Sequence, residues 1–271
     1  MQISKFYLKL LSIKGSKLSK NKLVLRKIFG SNLNMTKLSV NINKIATLRN
    51  SRGGNYPNVC DFAIDIQNFG AQGITVHPRP DERHIRYQDV YDLKKVVNTE
   101  FNIEGNPIEK FINMVTEVKP TQVTLVPDAI DAITSNSGWD TVKNKTFLKE
   151  VVNEFKSYGI RTSIFLDPNT RFIESVCEIN PDRVELYTEE YASEFPNDNF
   201  KAINKYSICA KEINDVGIGV NAGHDLSLKN IKFFKQNIDN LLEVSIGHAL
   251  ITESLYFGLE RTIKSYLDYL S

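Results

Sequence analysis

Cysteine is scarce in this 271-residue chain: Cys60, Cys177 and Cys209 are odd in number and far apart. That excludes a disulfide framework or a zinc knuckle and suits a reducing compartment, so the expected location is the cytoplasm. Long apolar runs are also missing. No stretch approaches the roughly 18 residues that a membrane-spanning helix needs. Acid is absent from the first 34 residues, which hold eight of the 34 Lys and Arg. The remainder therefore carries 26 basic and 32 acidic residues, a net of −6. A mildly acidic body gives no reason to expect nucleic acid as a partner.

Residues 1–34 stand apart. Lysines interrupt the apolar stretches, which makes a poor secretory signal. The acid-free, serine-containing composition has the look of an organelle transit peptide, although only one Arg is present. A third reading is that translation starts at Met35. The segment is expected to be a disordered basic extension, a misassigned start or a targeting segment, and residues 35–271 a single catalytic domain.

What is there, from Met35 onward, is a repeat of strand and helix. Short runs rich in Val and Ile occur at 37–43, 74–79, 100–105, 122–128, 162–167, 183–188, 218–223 and 243–247. Each reads as a buried parallel strand. Helical periodicity lies between them, as in 106–120, 147–160 and 255–270. Asn106 is placed as an N-cap with Pro107 at the first helical position, and Gly70 and Gly159 stand where C-caps belong. Eight such units predict an α/β fold, the (β/α)8 TIM barrel; a doubly wound open sheet is the alternative.

Barrel chemistry sits at the C-terminal ends of the strands. Those ends carry Asn41 and Asn43, His77 and Arg79, Glu104, Asp128, Asp167, Glu185, Asn221, His224, Gly247 and His248. All four histidines lie near this rim. Asp128 and Asp167 read equally well as helix caps. Glu104 and Glu185 follow apolar residues inside their strands, so they are expected to point into the barrel mouth. A carboxylate there is costly unless paired or functional. Convergence of His77, Glu104, Glu185 and His224 on a metal is not expected. No short ligand pair accompanies them, and Arg79, Arg83 and Arg86 suit an anion better than a cation. A second anion site is expected after strands 7 and 8, where Gly223 and Gly247 permit close backbone approach. The residues alone predict an enzyme with acid–base groups between two phosphate sites.

The stretches 40–57, 73–85, 101–105, 184–188, 220–226 and 246–251 resemble the pyridoxine 5′-phosphate synthase (PdxJ) family, from about Lys37 to the C-terminus. The resemblance implies condensation of 3-amino-2-oxopropyl phosphate with 1-deoxy-D-xylulose 5-phosphate, with release of phosphate and water. It implies His77 and Glu104 as proton acceptors, His224 as proton donor and Glu185 as transition-state stabiliser. Asn43, Lys44, Arg79, His84 and Thr134 would hold the deoxyxylulose phosphate. Asn41, Arg52, Asp225, Gly247 and His248 would hold the amino-ketone phosphate. No cofactor or enzyme Schiff-base lysine is implied, because the substrate brings its own amine. Family members form octamers, so a homo-oligomer is implied, with no nucleic-acid or membrane partner. Two departures stand out: many members carry Asp-His at Asn43-Lys44, and Gly at Asp225. Rival readings are a phosphate-handling isomerase or epimerase barrel, and a barrel kept for binding alone.

Overall fold

The computed structural model describes residues 35–128 and 137–271. The basic segment 1–34 and Thr134 lie outside the described residues. Eight strands pair in parallel and in chain order: β1 (Lys37–Asn41), β2 (Gly73–Val76), β3 (Glu100–Gly105), β4 (Gln122–Leu125), β5 (Arg161–Leu166), β6 (Arg183–Tyr187), β7 (Gly219–Gly223) and β8 (Leu241–Ile246). Pairing of β1 with β8 closes the ring, which rules out the open sheet. The connecting helices are α1 (Asn43–Asn50), α2 (Val59–Asn68), α3 (Tyr87–Val96), α4 (Glu109–Val118), α5 (Lys145–Ser157) and α6 (Ile173–Ile179). They continue with α7 (Glu189–Glu194), α8 (Asn199–Asp215), α9 (Ile231–Asn237), α10 (His248–Phe257) and α11 (Leu259–Leu270).

The strands alternate, and the alternation decides where the core lies. Leu38 and Val40, Ile74 and Val76, Val123 and Leu125, Val184 and Leu186 are fully buried in the apolar layer shared with the helices. The intervening positions face the lumen, and they are polar. Ser39 and Thr75 share a 2.7 Å hydrogen bond, and Asn102 bonds both Thr75 (3.4 Å) and Thr124 (3.1 Å). At the N-terminal end an ionic network crosses the barrel. Arg161 bonds Glu100 and Gln122, Lys37 pairs with Glu100, and Arg183 reaches Glu243 at 3.1 Å. Barrels usually fill this space with branched aliphatic side chains. Here a period of two, apolar outward and polar inward, replaces the continuous apolar run that a strand buried on both faces would show.

Helix formation follows from one-sided apolar spacing. In α4 the buried positions are Phe111, Met114, Val115 and Val118; in α5 they are Leu148, Val151, Val152 and Phe155. Both follow the i, i+3, i+4, i+7 rule of a helix laid on a sheet. Each such side chain contributes roughly 1.5–3 kcal/mol by burial. Val152→Asp would break the α5 face by burying an unpaired carboxylate.

Three local expectations meet the structure differently. Gly159 (φ 74°) and Gly70 (φ 106°) do follow helix ends. The Gly159 and Ile160 amides return to the carbonyls of Lys156 and Phe155, the reversed bonding that a left-handed residue permits. Asn106, however, is not an N-cap. Helix α4 starts at Glu109, and the Asn106 side chain instead donates to the Asp128 carbonyl at 2.9 Å. The expected helix 255–270 is broken at Gly258 (φ 83°), so its first residues belong to α10 and the rest to α11.

Candidate active site

A cavity of about 720 Å³ opens at the C-terminal mouth of the barrel. Among the described residues, all of the expected site residues line it except Arg52, which is exposed in the turn after α1. The strand ends explain the convergence, since lumen-facing parity carries straight into the mouth.

From β1, the Asn41 side chain donates to Glu104 at 3.4 Å and accepts the Asn43 amide at 3.0 Å. Asn43 Oδ1 in turn accepts the His77 amide at 2.9 Å. The three residues form one chain of polar contacts, so Asn43 fixes the backbone of His77. Lys44, exposed at the start of α1, lines the same wall.

From β2 come His77 and Arg79, only 6% and 4% exposed. Arg79 Nη2 donates to Asp128 Oδ2 at 2.6 Å. His77 Nε2 lies 3.8 Å from the same oxygen, too far for a hydrogen bond. The ring of His84 packs edge-on to that of His77, with centroids 6.3 Å apart. Burial, then Arg79 and His84, push the His77 imidazole well below its ordinary range. Burial, then Arg79 and Lys44, push His84 down to about 4. Both rings are neutral at physiological pH, ready to accept or relay a proton. The Ile85 amide donates to His84 Nδ1 at 2.9 Å, so the neutral His84 ring carries its hydrogen on Nε2.

Two carboxyl groups share the mouth with them, Glu104 on the neighbouring strand β3 and Glu185 on β6. Burial, then the charges of Asp128 and Glu243, push Glu104 up to about 8. Burial, then Glu104 and Glu243, raise Glu185 well above the usual carboxylate range. Glu185 is 3% exposed, and its Oε2 has no hydrogen-bond partner. A Cβ on Gly223 would sit 2.6 Å from Glu185 Oε1, so only glycine leaves that carboxyl its room.

The remaining wall follows β7 and β8. His224 (φ 63°) and Asp225 (φ 60°) are consecutive non-glycine residues in the left-handed region. Such backbone costs of order 1–3 kcal/mol per residue and clusters at functional sites. Here the Thr188 hydroxyl secures the turn by sharing its one hydrogen between the carbonyls of Gly223 and His224. His224 Nδ1 and Asp225 Oδ2 are 2.6 Å apart, and this contact holds the Asp225 carboxyl below its ordinary range. Gly247 precedes α10, whose first residue is the exposed His248. A helix N-terminus with a glycine before it suits an anion.

The sequence profile described as "Pyridoxal phosphate biosynthesis protein PdxJ" matches residues 38–271. The chain belongs to this family. Among curated PdxJ relatives, the pyridoxine 5′-phosphate synthase of Christiangramia forsetii is 65% identical over 236 residues, covering 87% of this chain and all of that protein. The pyridoxine 5′-phosphate synthase of Flavobacterium johnsoniae is 63% identical over the same shares of both chains. Solved structures add the fold alone. The N-(5′-phosphoribosyl)anthranilate isomerase of Pyrococcus furiosus aligns with TM-score 0.58 at 10% identity, over 87% of this chain and 98% of that one. Tryptophan synthase of M. tuberculosis in its aminoacrylate-bound form aligns with TM-score 0.60 at 12% identity, over 88% and 95%.

Within this PdxJ barrel the sequence reading missed several cavity residues: Thr124, Phe165, Tyr187 and Ser245. Tyr187 packs between Phe165 (5.2 Å) and the His224 ring (5.1 Å). Parity would have found it, since Tyr187 lies two residues beyond Glu185 on the same strand face.

Proposed function

We propose that this chain is a pyridoxine 5′-phosphate synthase. It would condense 3-amino-2-oxopropyl phosphate with 1-deoxy-D-xylulose 5-phosphate, forming pyridoxine 5′-phosphate, phosphate and water. The observation that carries the reading is the pairing, across one cavity, of neutral imidazoles beside Arg79 with raised carboxyl groups at Glu104 and Glu185.

The division of labour follows from charge. Arg79, Lys44 and the Nε2–H of His84 supply donors to the deoxyxylulose phosphate, with Asn43 behind them. Asn41, Gly247, His248 and the backbone at Asp225 serve the amino-ketone phosphate. The Asp225 carboxylate is turned to His224, which engages one of its oxygens and leaves the backbone to face that phosphate. Amine addition to a ketone must lose water, and enolisation must move carbon-bound protons. Neutral His77 accepts a proton, and Glu104 exchanges one near its midpoint of about 8. His224, edge-on to Tyr187, donates to the departing oxygen. Glu185, its carboxyl raised by burial well above the usual carboxylate range, stabilises developing negative charge as a hydrogen-bond donor in its protonated form. Residues 35–271 form the catalytic domain, in the cytoplasm and as a homo-oligomer, an octamer as the family resemblance implies; a chain starting at Met35 is expected to turn over as well as the full one.

Incubation with both substrates tests the reading directly: pyridoxine 5′-phosphate must appear. Arg79→Ala is expected to weaken deoxyxylulose phosphate, and His248→Ala the amino-ketone phosphate. Each should cost on the order of 1.5–3 kcal/mol, about 10- to 150-fold in affinity. A well-folded chain that makes no product, or two variants that weaken the same ligand, would refute it.

A further inference from the structure

The loop that carries His84 is held from behind by a clamp on α1. Arg49 is 1% exposed and binds Asp89 through two contacts of 2.6 and 2.8 Å. Its Nη2 also donates to the His84 carbonyl at 3.1 Å, and its Nε to Asn50 Oδ1 at 3.1 Å. Asn50 Nδ2 donates to the same His84 carbonyl at 2.8 Å and to that of Arg83 at 3.1 Å. Asn50 Oδ1 accepts from Arg86 at 3.0 Å, and Asp89 accepts the Arg86 amide at 2.7 Å.

Two donors therefore converge on one carbonyl oxygen, that of His84. A carbonyl has two lone pairs, so this oxygen is saturated and its peptide plane is fixed. The next amide, Ile85 N–H, is fixed with it and bonds His84 Nδ1. The clamp thus sets both the place of the ring and which nitrogen bears the hydrogen. Helix α1 is two-ended in this respect. Its first residues, Asn43 and Lys44, line the cavity, and its last two grip the loop that brings in His84.

We propose that Arg49 and Asn50 are positioning residues for the deoxyxylulose phosphate half of the site, holding the His84 main chain so that Nε2–H faces the cavity. The proposal rests on the synthase reading above and assigns it two residues that never touch substrate. Guanidinium geometry is central to it. Lysine at position 49 could neutralise Asp89 but could not bind it twice while also reaching the His84 carbonyl.

A double-mutant cycle tests this without relying on turnover. 1-Deoxy-D-xylulose 5-phosphate is titrated into the full chain and into Asn50→Ala, His84→Ala and the double variant. Asn50→Ala is expected to weaken binding about tenfold in the parent and not at all in the His84→Ala background. Arg49→Lys, which keeps a charge beside Asp89, should behave the same way. Affinity for 3-amino-2-oxopropyl phosphate should stay unchanged in all of them. Amide exchange across residues 81–87 should quicken in Asn50→Ala but not around His248. Equal losses in both backgrounds would mark a general structural role and overturn the proposal, as would no loss in either. Product formation by the parent chain tests the synthase reading separately. A failed cycle in a chain that makes product therefore overturns the clamp alone.

Discussion

Arg79 and Asp128 meet through a 2.6 Å ion pair in which neither side chain is more than 5% exposed. The pair engages the guanidinium proposed above for a substrate phosphate, and it places a negative charge near Glu104. Asp128→Ala leaves Arg79 buried beside no carboxylate at that contact, which costs on the order of 3–5 kcal/mol of stability. Inorganic phosphate should restore part of that loss in thermal melts, because it supplies the missing anion. Asp128→Asn should cost less and lower the Glu104 midpoint from about 8. Its acidic limb of kcat/KM would then move to lower pH; an unmoved limb would separate Asp128 from Glu104.

Glu104 itself links activity to stability. Its midpoint is raised in the folded chain, so the native state binds a proton more tightly than the unfolded state does. Stability is therefore fully present below the ordinary carboxylate range and is lost as pH rises toward about 8. Glu104→Gln removes the charge and keeps the shape. The variant should melt higher than the parent at pH 8 and about equally at pH 4, while turnover collapses. Melting temperatures across pH, set beside turnover, check both halves.

His84 should titrate near pH 4 in the parent chain, far below an exposed imidazole. Burial is the larger cause and Arg79 the next, so Arg79→Ala should raise the midpoint without restoring the ordinary value. Histidine ring signals in magnetic resonance, followed with pH, give the answer directly. A midpoint at the ordinary imidazole value of about 6.5 in the parent would show that burial and Arg79 do not depress the ring.

The ionic network at the other end of the barrel behaves in the opposite sense. Burial acts to raise Glu100, but Arg161 and Lys37 prevail and hold it at about 2. Its contribution is present above the ordinary carboxylate midpoint and fades as pH falls through that value toward about 2. Glu100→Gln should lose that acid-sensitive part. The gap between variant and parent in urea unfolding should be wide at pH 6 and narrow near pH 2.

Much of this is legible in the sequence itself. The eight strands fall where runs of Val and Ile end in turn residues, because alternating strand and helix allow few closed arrangements. Glu104 and Glu185 were legible because a carboxyl inside an apolar strand has few reasons to be there. The lumen was harder. Ser39, Thr75, Asn102 and Thr124 look unremarkable singly, and their meaning lies in neighbours 22 to 36 positions away. The His84 clamp was hidden for the same reason. Arg52 drew notice through the family pattern, while Arg49 lies among polar residues whose burial depends on where the loop after β2 lands. Asn106 shows the converse failure: local rules favoured a cap, and a tertiary partner at Asp128 took the side chain instead.

The inward-facing hydroxyls, amides and charges also bear on how the molecule responds to temperature. When the barrel opens, water reaches two kinds of surface at once. Newly wetted hydrocarbon raises the heat capacity, and newly wetted polar groups lower it. Here the strands contribute hydrocarbon from one face and polar groups from the other. The heat-capacity increment of unfolding is therefore smaller than in a barrel of equal length with an aliphatic lumen. Free energy plotted against temperature becomes a shallower arch, so the protein gives up its stability more gradually on cooling as well as on warming.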